Sequence, residues 1–163
     1  MFQIGDKIVH PMHGAGTIES IVTNKVNGVV REYYTLKLPV RAMLVMIPVS
    51  NCSEIGVRSI VSQETAQAVL SAFPSLQVEM TQNWNRRYRE NMDRLKSGDL
   101  YAVARVIKGL TYRDSERGLS NGERKMLHTA KQILVSELVL SLEQESRQIE
   151  NRINGAMLGE KVG

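Results

Sequence analysis

His10 and His13 could share a metal ion, Cys52 could act as a nucleophile, and Gly14-Ala15-Gly16 could cradle a phosphate. None of the three is complete. A closed metal site needs more ligands than two imidazoles, and no Cys or carboxylate cluster lies beside them, so they read as polar turn residues. The glycine pair lacks the Lys-Ser/Thr of a P-loop and follows a strand without opening a helix, which makes it a tight turn. Cys52 has no nearby His in the sequence to take its proton. His128, between Leu127 and Thr129, is most simply a helix-surface or core-edge side chain. These residues give no grounds to expect catalysis, a metal, a cofactor or a small-molecule substrate.

A different chemistry gathers between Thr81 and Lys96. Trp84, the single tryptophan, is followed by Arg86, Arg87 and Arg89. A flat ring beside guanidinium groups suits nucleic acid, because the ring can stack on or wedge between bases while the cations hold phosphates. The bland alternative makes Trp84 the first core residue of an amphipathic helix, since Trp84, Tyr88, Met92 and Leu95 follow at intervals of four, four and three. In the sharper reading the apolar stripe begins at Tyr88, and Trp84 stands on the surface. Asn83 or Thr81 can cap this helix through the free N–H groups of its first turn.

Charge points the same way. The chain of 163 residues has a formal net charge of +4. Between Thr81 and Lys131 twelve Lys or Arg face six Asp or Glu, so this segment carries a surplus of six and the remainder is two negative. A basic segment favours an acidic partner, although charged helix faces are commonly just solvated. One cysteine excludes an internal disulfide and fits a reducing compartment. No basic region followed by an apolar run opens the chain, so no signal peptide is expected. The apolar stretch Ile133 to Leu142, interrupted by Ser136, Glu137 and Ser141, falls short of the roughly 20 residues a bilayer needs. A soluble, cytoplasmic protein is expected.

The elements that must position these residues change character along the chain. Residues 2 to 49 read as short strands: Ile4, Ile8 and Val9 before the Pro11 to Gly16 turn, then Thr17 to Thr23, an Asn27-Gly28 hairpin, Val29 to Leu38, and Leu44 to Val49 after the break at Pro39. This predicts an α+β protein whose residues 1–60 form a small antiparallel β-barrel of SH3 or Tudor type. Residues 61–80 supply a helix capped by Ser62 and running to about Phe73, then a linker, with the stretch near 50 to 80 acting as a hinge. An all-α module follows over 81–163. Asp99 starts one helix, whose core stripe is Leu100, Val103, Ala104, Ile107 and Leu110 and whose C-cap is Gly118. Ser120-Asn121-Gly122-Glu123 is a capping box opening a long helix through Met126, Ile133, Leu138 and beyond. The tail from Asn154, with Gly155, Gly159 and Gly163, is expected to fray.

Several segments together resemble the CarD/CdnL family of bacterial transcription regulators. They are Gly5-Asp6 with His10-Pro11-Met12-His13-Gly14-Ala15-Gly16, Asn83-Trp84-Asn85-Arg86-Arg87-Tyr88, Arg117 to Leu127, and Ala130-Lys131-Gln132-Ile133-Leu134. The resemblance covers nearly the whole chain in order. It implies a Tudor-like N-terminal module, similar to the polymerase-interacting domain of the transcription-repair coupling factor, that docks on the N-terminal lobe of the RNA polymerase β subunit. It also implies a helical module on promoter DNA at the upstream edge of the transcription bubble. Carried over, Trp84 is a minor-groove wedge, Arg86, Arg87 and Arg89 contact phosphates, and Arg124 and Lys125 are lesser contacts.

The polymerase-binding set implied by the same resemblance is Val45, Met46, Ile47, Pro48 and Asn24. Met46 and Asn24 stand where many members carry a basic side chain. The chain is expected to act as a monomer, without a membrane partner. The competing hypothesis is a protein-interaction or dimerisation module that makes no DNA contact.

Overall fold

The structure, a computed structural model, describes residues 1–40 and 43–158. Its first part is β1 (Lys7–His10), β2 (Gly14–Val26), β3 (Val29–Lys37) and β4 (Leu44–Pro48), then a one-turn helix α1 (Cys52–Ile55) and the short β5 (Arg58–Ser59). All pairings are antiparallel, in the order β4-β3-β2-β1-β5. The Asn27-Gly28 hairpin forms as read: both residues have positive φ, 52° and 79°, which matches the twist of the flanking strands. A register shift between Ile18 and Ser20 interrupts the β2–β3 ladder. Among the described residues β4 and β5 do not pair, so the α+β class stands but the sheet is open rather than a closed barrel. Ile8, Ile18, Tyr34, Leu36 and Ile47 fill its core.

The helical part comprises α2 (Gln63–Ala72), a 3-10 turn at Phe73–Ser75, α3 (Trp84–Lys96), α4 (Leu100–Arg117), α5 (Asn121–Leu142) and α6 (Ser146–Met157). Short polar side chains start four of these helices. Ser62, Asn83, Asp99 and Ser120 accept from Thr65, Arg86, Tyr101 and Glu123 N–H, respectively, satisfying donors that the first turn leaves free. Gly118 caps α4 with its N–H on Asp114 O at 3.1 Å. No helix among the described residues is long and apolar enough to cross a membrane.

One expectation is corrected at the C-terminal end. The long helix stops at Leu142, where Glu143 adopts a left-handed conformation, and α6 follows as a separate helix. Asn154 and Gly155 lie inside α6 rather than in a frayed tail, because Ile149, Ile153, Ala156 and Met157 bury one face of it against the core. The expected fraying at Gly159 and Gly163 lies outside the described residues.

The two parts are packed together, and the stretch read as a hinge is folded onto α5. Ser141 Oγ donates to Val61 O at 2.9 Å, and Val61 N–H donates to Glu137 at 2.9 Å. The His10 to Gly16 turn lies against the same helix. His10 Nδ1 accepts from Met12 N–H at 3.0 Å and His13 N–H at 3.3 Å. Gly14, with φ of 89°, lies so close to α5 that a Cβ there would collide with Ser136 Oγ. The glycine motif is therefore both a turn and a place of close approach.

Gly14→Ala and Gly28→Ala separate these two roles. Both put alanine at positive φ, which costs about 1–2 kcal/mol, but Gly28 has open space around it. Gly14→Ala is expected to lose about 3 kcal/mol, because overpacking against α5 adds to the backbone cost. Urea unfolding of both variants measures the difference.

Candidate nucleic-acid interface

Helix α3 begins at Asn83, whose Oδ1 accepts from Arg86 N–H at 3.0 Å, so Trp84 is its first residue. Its buried side chains are Arg87, Asn91 and Leu95. The apolar stripe read from the sequence is rotated slightly out of the core, with Tyr88 and Met92 half-buried. Trp84 is 42% exposed, which decides between its two readings in favour of the surface.

The ring is held, not loose. It stacks on Tyr88 with centroids 5.1 Å apart and an interplanar angle of 18°. Its Nε1–H donates to Ser120 Oγ at 3.0 Å. A Cβ at Gly122 would lie 3.4 Å from Trp84 Cζ2, an ordinary van der Waals distance, so the indole lies over the first turn of α5. Tyr88, Ser120 and Gly122 are site residues that the sequence reading left out of the interface. Their signals were present as a helix stripe and a capping box, but neither says what lies above them.

The arginines divide. Arg86 and Arg89 are exposed, as are Arg124 and Lys125 on the first turn of α5. Arg86 Nε pairs with Glu90 at 3.0 Å, and Thr81 Oγ1 donates to the same carboxylate at 2.8 Å. The Thr81 hydrogen bond and the Arg86 charge hold the Glu90 carboxyl below its usual pKa despite some desolvation. Arg124 Nη2 lies 3.8 Å from Asp114. Arg87 is different: it is 2% exposed, so the grouping of Arg87 with the phosphate contacts does not match its position in the free chain. Its Nε and Nη2 donate to Glu123 at 2.8 and 3.2 Å, and its Nη1 donates to Thr81 O and Gln82 O at 3.0 and 2.9 Å. The pair is buried because the first turns of α3 and α5 face each other there. Burial alone would raise the Glu123 carboxyl, but hydrogen bonding and charge from Arg87, with Arg113 and Ser120 behind them, bring it below its ordinary value.

The second set lies on the sheet. Asn24 is exposed on the β2–β3 hairpin and Met46 is 45% exposed on β4. Val45 and Pro48 are half-buried, while Ile47 is 1% exposed and belongs to the sheet core. Leu44, exposed on the same strand, extends this surface and was not singled out from the sequence. No group of three or more His, Cys, Asp or Glu among the described residues is arranged to hold a metal ion.

Residues 2–61 match the family model of the CarD-like/TRCF RID domain, and residues 68–154 match that of the CarD C-terminal domain. The chain belongs to the CarD family. It is 33% identical over 151 residues to a candidate transcription factor, YdeB, of Bacillus subtilis (strain 168), covering 93% of this chain and 99% of that protein. The CarD C-terminal match contains Trp84 and its supporting residues, and the RID match contains Asn24 and β4.

Removing one partner of a buried ion pair leaves a charge without compensation, which costs about 3–5 kcal/mol. Arg87→Ala is therefore expected to lose about that much stability, and Arg89→Ala, on the surface, to stay within about 0.5 kcal/mol of wild type. Chemical denaturation distinguishes the two.

Acid should weaken the fold through two groups. Burial, helped by the nearby His13, lowers the His10 pKa from 6.5 to about 4. The unfolded chain then takes up the proton first, so the His10 contribution is complete above pH 6.5 and is lost toward pH 4. The Glu123 contribution is present above 4.5 and is lost as pH falls through its lower folded value. The urea midpoint is expected to fall between about pH 7 and pH 5, and His10→Asn, which keeps an acceptor but does not titrate, should flatten that fall.

Proposed function

We propose that this CarD-family protein docks on the N-terminal lobe of the RNA polymerase β subunit and stabilises the open promoter complex by wedging Trp84 into the minor groove at the upstream edge of the bubble. The observation that carries this reading is the half-exposed indole, backed by Tyr88, tied to Ser120 and flanked by exposed cations. Arg86 and Arg89, with Arg124 and Lys125, neutralise phosphates on either side, and contacts of that kind follow any sequence. Arg87 acts through Glu123, holding α3 against α5 beneath the ring. Docking uses Asn24, Val45, Met46 and Pro48, with Ile47 shaping β4 from behind. The protein then works in the cytoplasm wherever polymerase has been placed on a promoter.

Inserting a ring at an intact base step costs a few kcal/mol, but at the fork of the bubble polymerase has already unstacked that step. Trp84 therefore favours the open state. A ligand shifts an equilibrium only by its differential affinity for the two states. One base–aromatic stack of about 1–3 kcal/mol corresponds to roughly 5- to 150-fold. The test is the decay of preformed open complexes under competitor DNA. Wild type should lengthen their lifetime and Trp84→Ala should remove most of that gain while remaining folded and bound to polymerase. Equal lifetimes with both proteins bound would sink the wedge.

A further inference from the structure

Three polar side chains interrupt the apolar run from Ile133 to Leu142, namely Ser136, Glu137 and Ser141, and all three are buried. Each meets the sheet or the segment leaving it. Ser136 Oγ accepts from Ala15 N–H at 2.8 Å, and Ser141 Oγ donates to Val61 O at 2.9 Å. Glu137 is 0% exposed and receives both terminal nitrogens of Arg58, at 2.7 and 2.8 Å, together with Val61 N–H at 2.9 Å. Arg58 is part of β5, which pairs with β1.

Only the Glu137 end of this ion pair is buried, the Arg58 side chain being 29% exposed, and even a fully buried pair is a weak source of stability, since an apolar pair of similar volume often does as well. What the ion pair adds is direction. Three hydrogen bonds onto one carboxylate, two from a planar guanidinium, fix an angle as well as a distance. The other end of the same helix carries Ser120, Gly122 and Glu123, which touch Trp84 and Arg87. From Ser120 to Ser136 the rise is about 24 Å of continuous helix, with no loop between the seam and the indole.

We infer that Arg58 and Glu137 are positioning residues whose bidentate pair, with the carboxylate buried and the guanidinium partly exposed, sets the angle of α5 on the sheet, and thereby where Trp84 stands relative to the polymerase-docking face. This rests on the wedge reading above. Docking then delivers the ring to the fork as part of one rigid body, and ordering the two modules adds no further entropy cost on binding.

Arg58→Met combined with Glu137→Gln removes both charges while keeping side-chain bulk and an acceptor for Val61 N–H. Spin labels on Glu19→Cys in β2 and Ser115→Cys in α4, in a Cys52→Ala background, report the distance between the modules. We expect a narrow distribution with the pair intact and a broadened one in the double variant, with helix content and cooperative melting retained. Without the labels, the double variant should bind polymerase as wild type does yet lose most of the open-complex lifetime gain. An unchanged distance distribution overturns the inference, and so does a broadened one with the full lifetime gain. Should the double variant fail to fold, Arg58→Lys, which keeps the charge but loses the planar fork, is held to the same two outcomes. If Trp84→Ala leaves lifetimes unchanged, the wedge reading falls, and the clamp is judged by the distance distribution alone.

Discussion

A guanidinium in a protein does not give up its proton, so burying one obliges the chain to bring a carboxylate to it. Arg87 imposes that demand at the start of α3, and Glu123 meets it from the first turn of α5. The remaining nitrogen of Arg87 binds the carbonyls of Thr81 and Gln82, which fixes the path by which the chain enters α3. With both helix starts held in this way, Trp84 lies over Gly122, against Tyr88, with its nitrogen on Ser120. An exposed indole is thereby given a fixed orientation by a pair that never reaches the surface. For the wedge proposed above such preorganisation matters, because freedom lost before binding is not lost again on binding.

Helix α5 then connects that site to the sheet. Its N-terminal turn serves the tryptophan, and its middle serves the seam through Ser136 and Glu137. Directed polar contacts meet there, beside a glycine that lets the backbones approach closely. Elsewhere the helical part uses the same kind of solution. Lys108 is buried, and its ammonium donates to Phe73 O, Pro74 O and Leu76 O at 2.6, 3.1 and 2.9 Å, satisfying carbonyls left free where α2 and its 3-10 turn end. Burial lowers its pKa, while the three acceptors leave it a structural cation, not one offered to a partner.

The basic surplus of the helical segment is therefore not a uniform surface field. Arg87 and Lys108 are consumed inside, and Arg86 and Arg124 have carboxylates near them. The charge that faces solvent around Trp84 is carried by a few side chains on the first two turns of α3 and α5.

Much of the architecture was legible from local signals. Asn27-Gly28 demands a hairpin because both residues take positive φ there, and Ser62, Asn83, Asp99 and Ser120 mark helix starts because each can accept a first-turn N–H. Those signals act over a few residues, so one sequence carries them whole. The open edge of the sheet, the break at Glu143 and the burial of α6 depend on what packs where, and local patterning is silent on that. The candidate site divides along the same line. That an aromatic and three arginines lie together was set by the sequence alone. Which arginine is buried was decided by Glu123, 36 residues further on, and by the crossing of two helices that places its carboxylate behind Arg87 rather than beside Arg86 or Arg89. Three chemically identical side chains differ only in the direction each takes from the helix axis, and a direction acquires meaning only when there is a second helix for it to face.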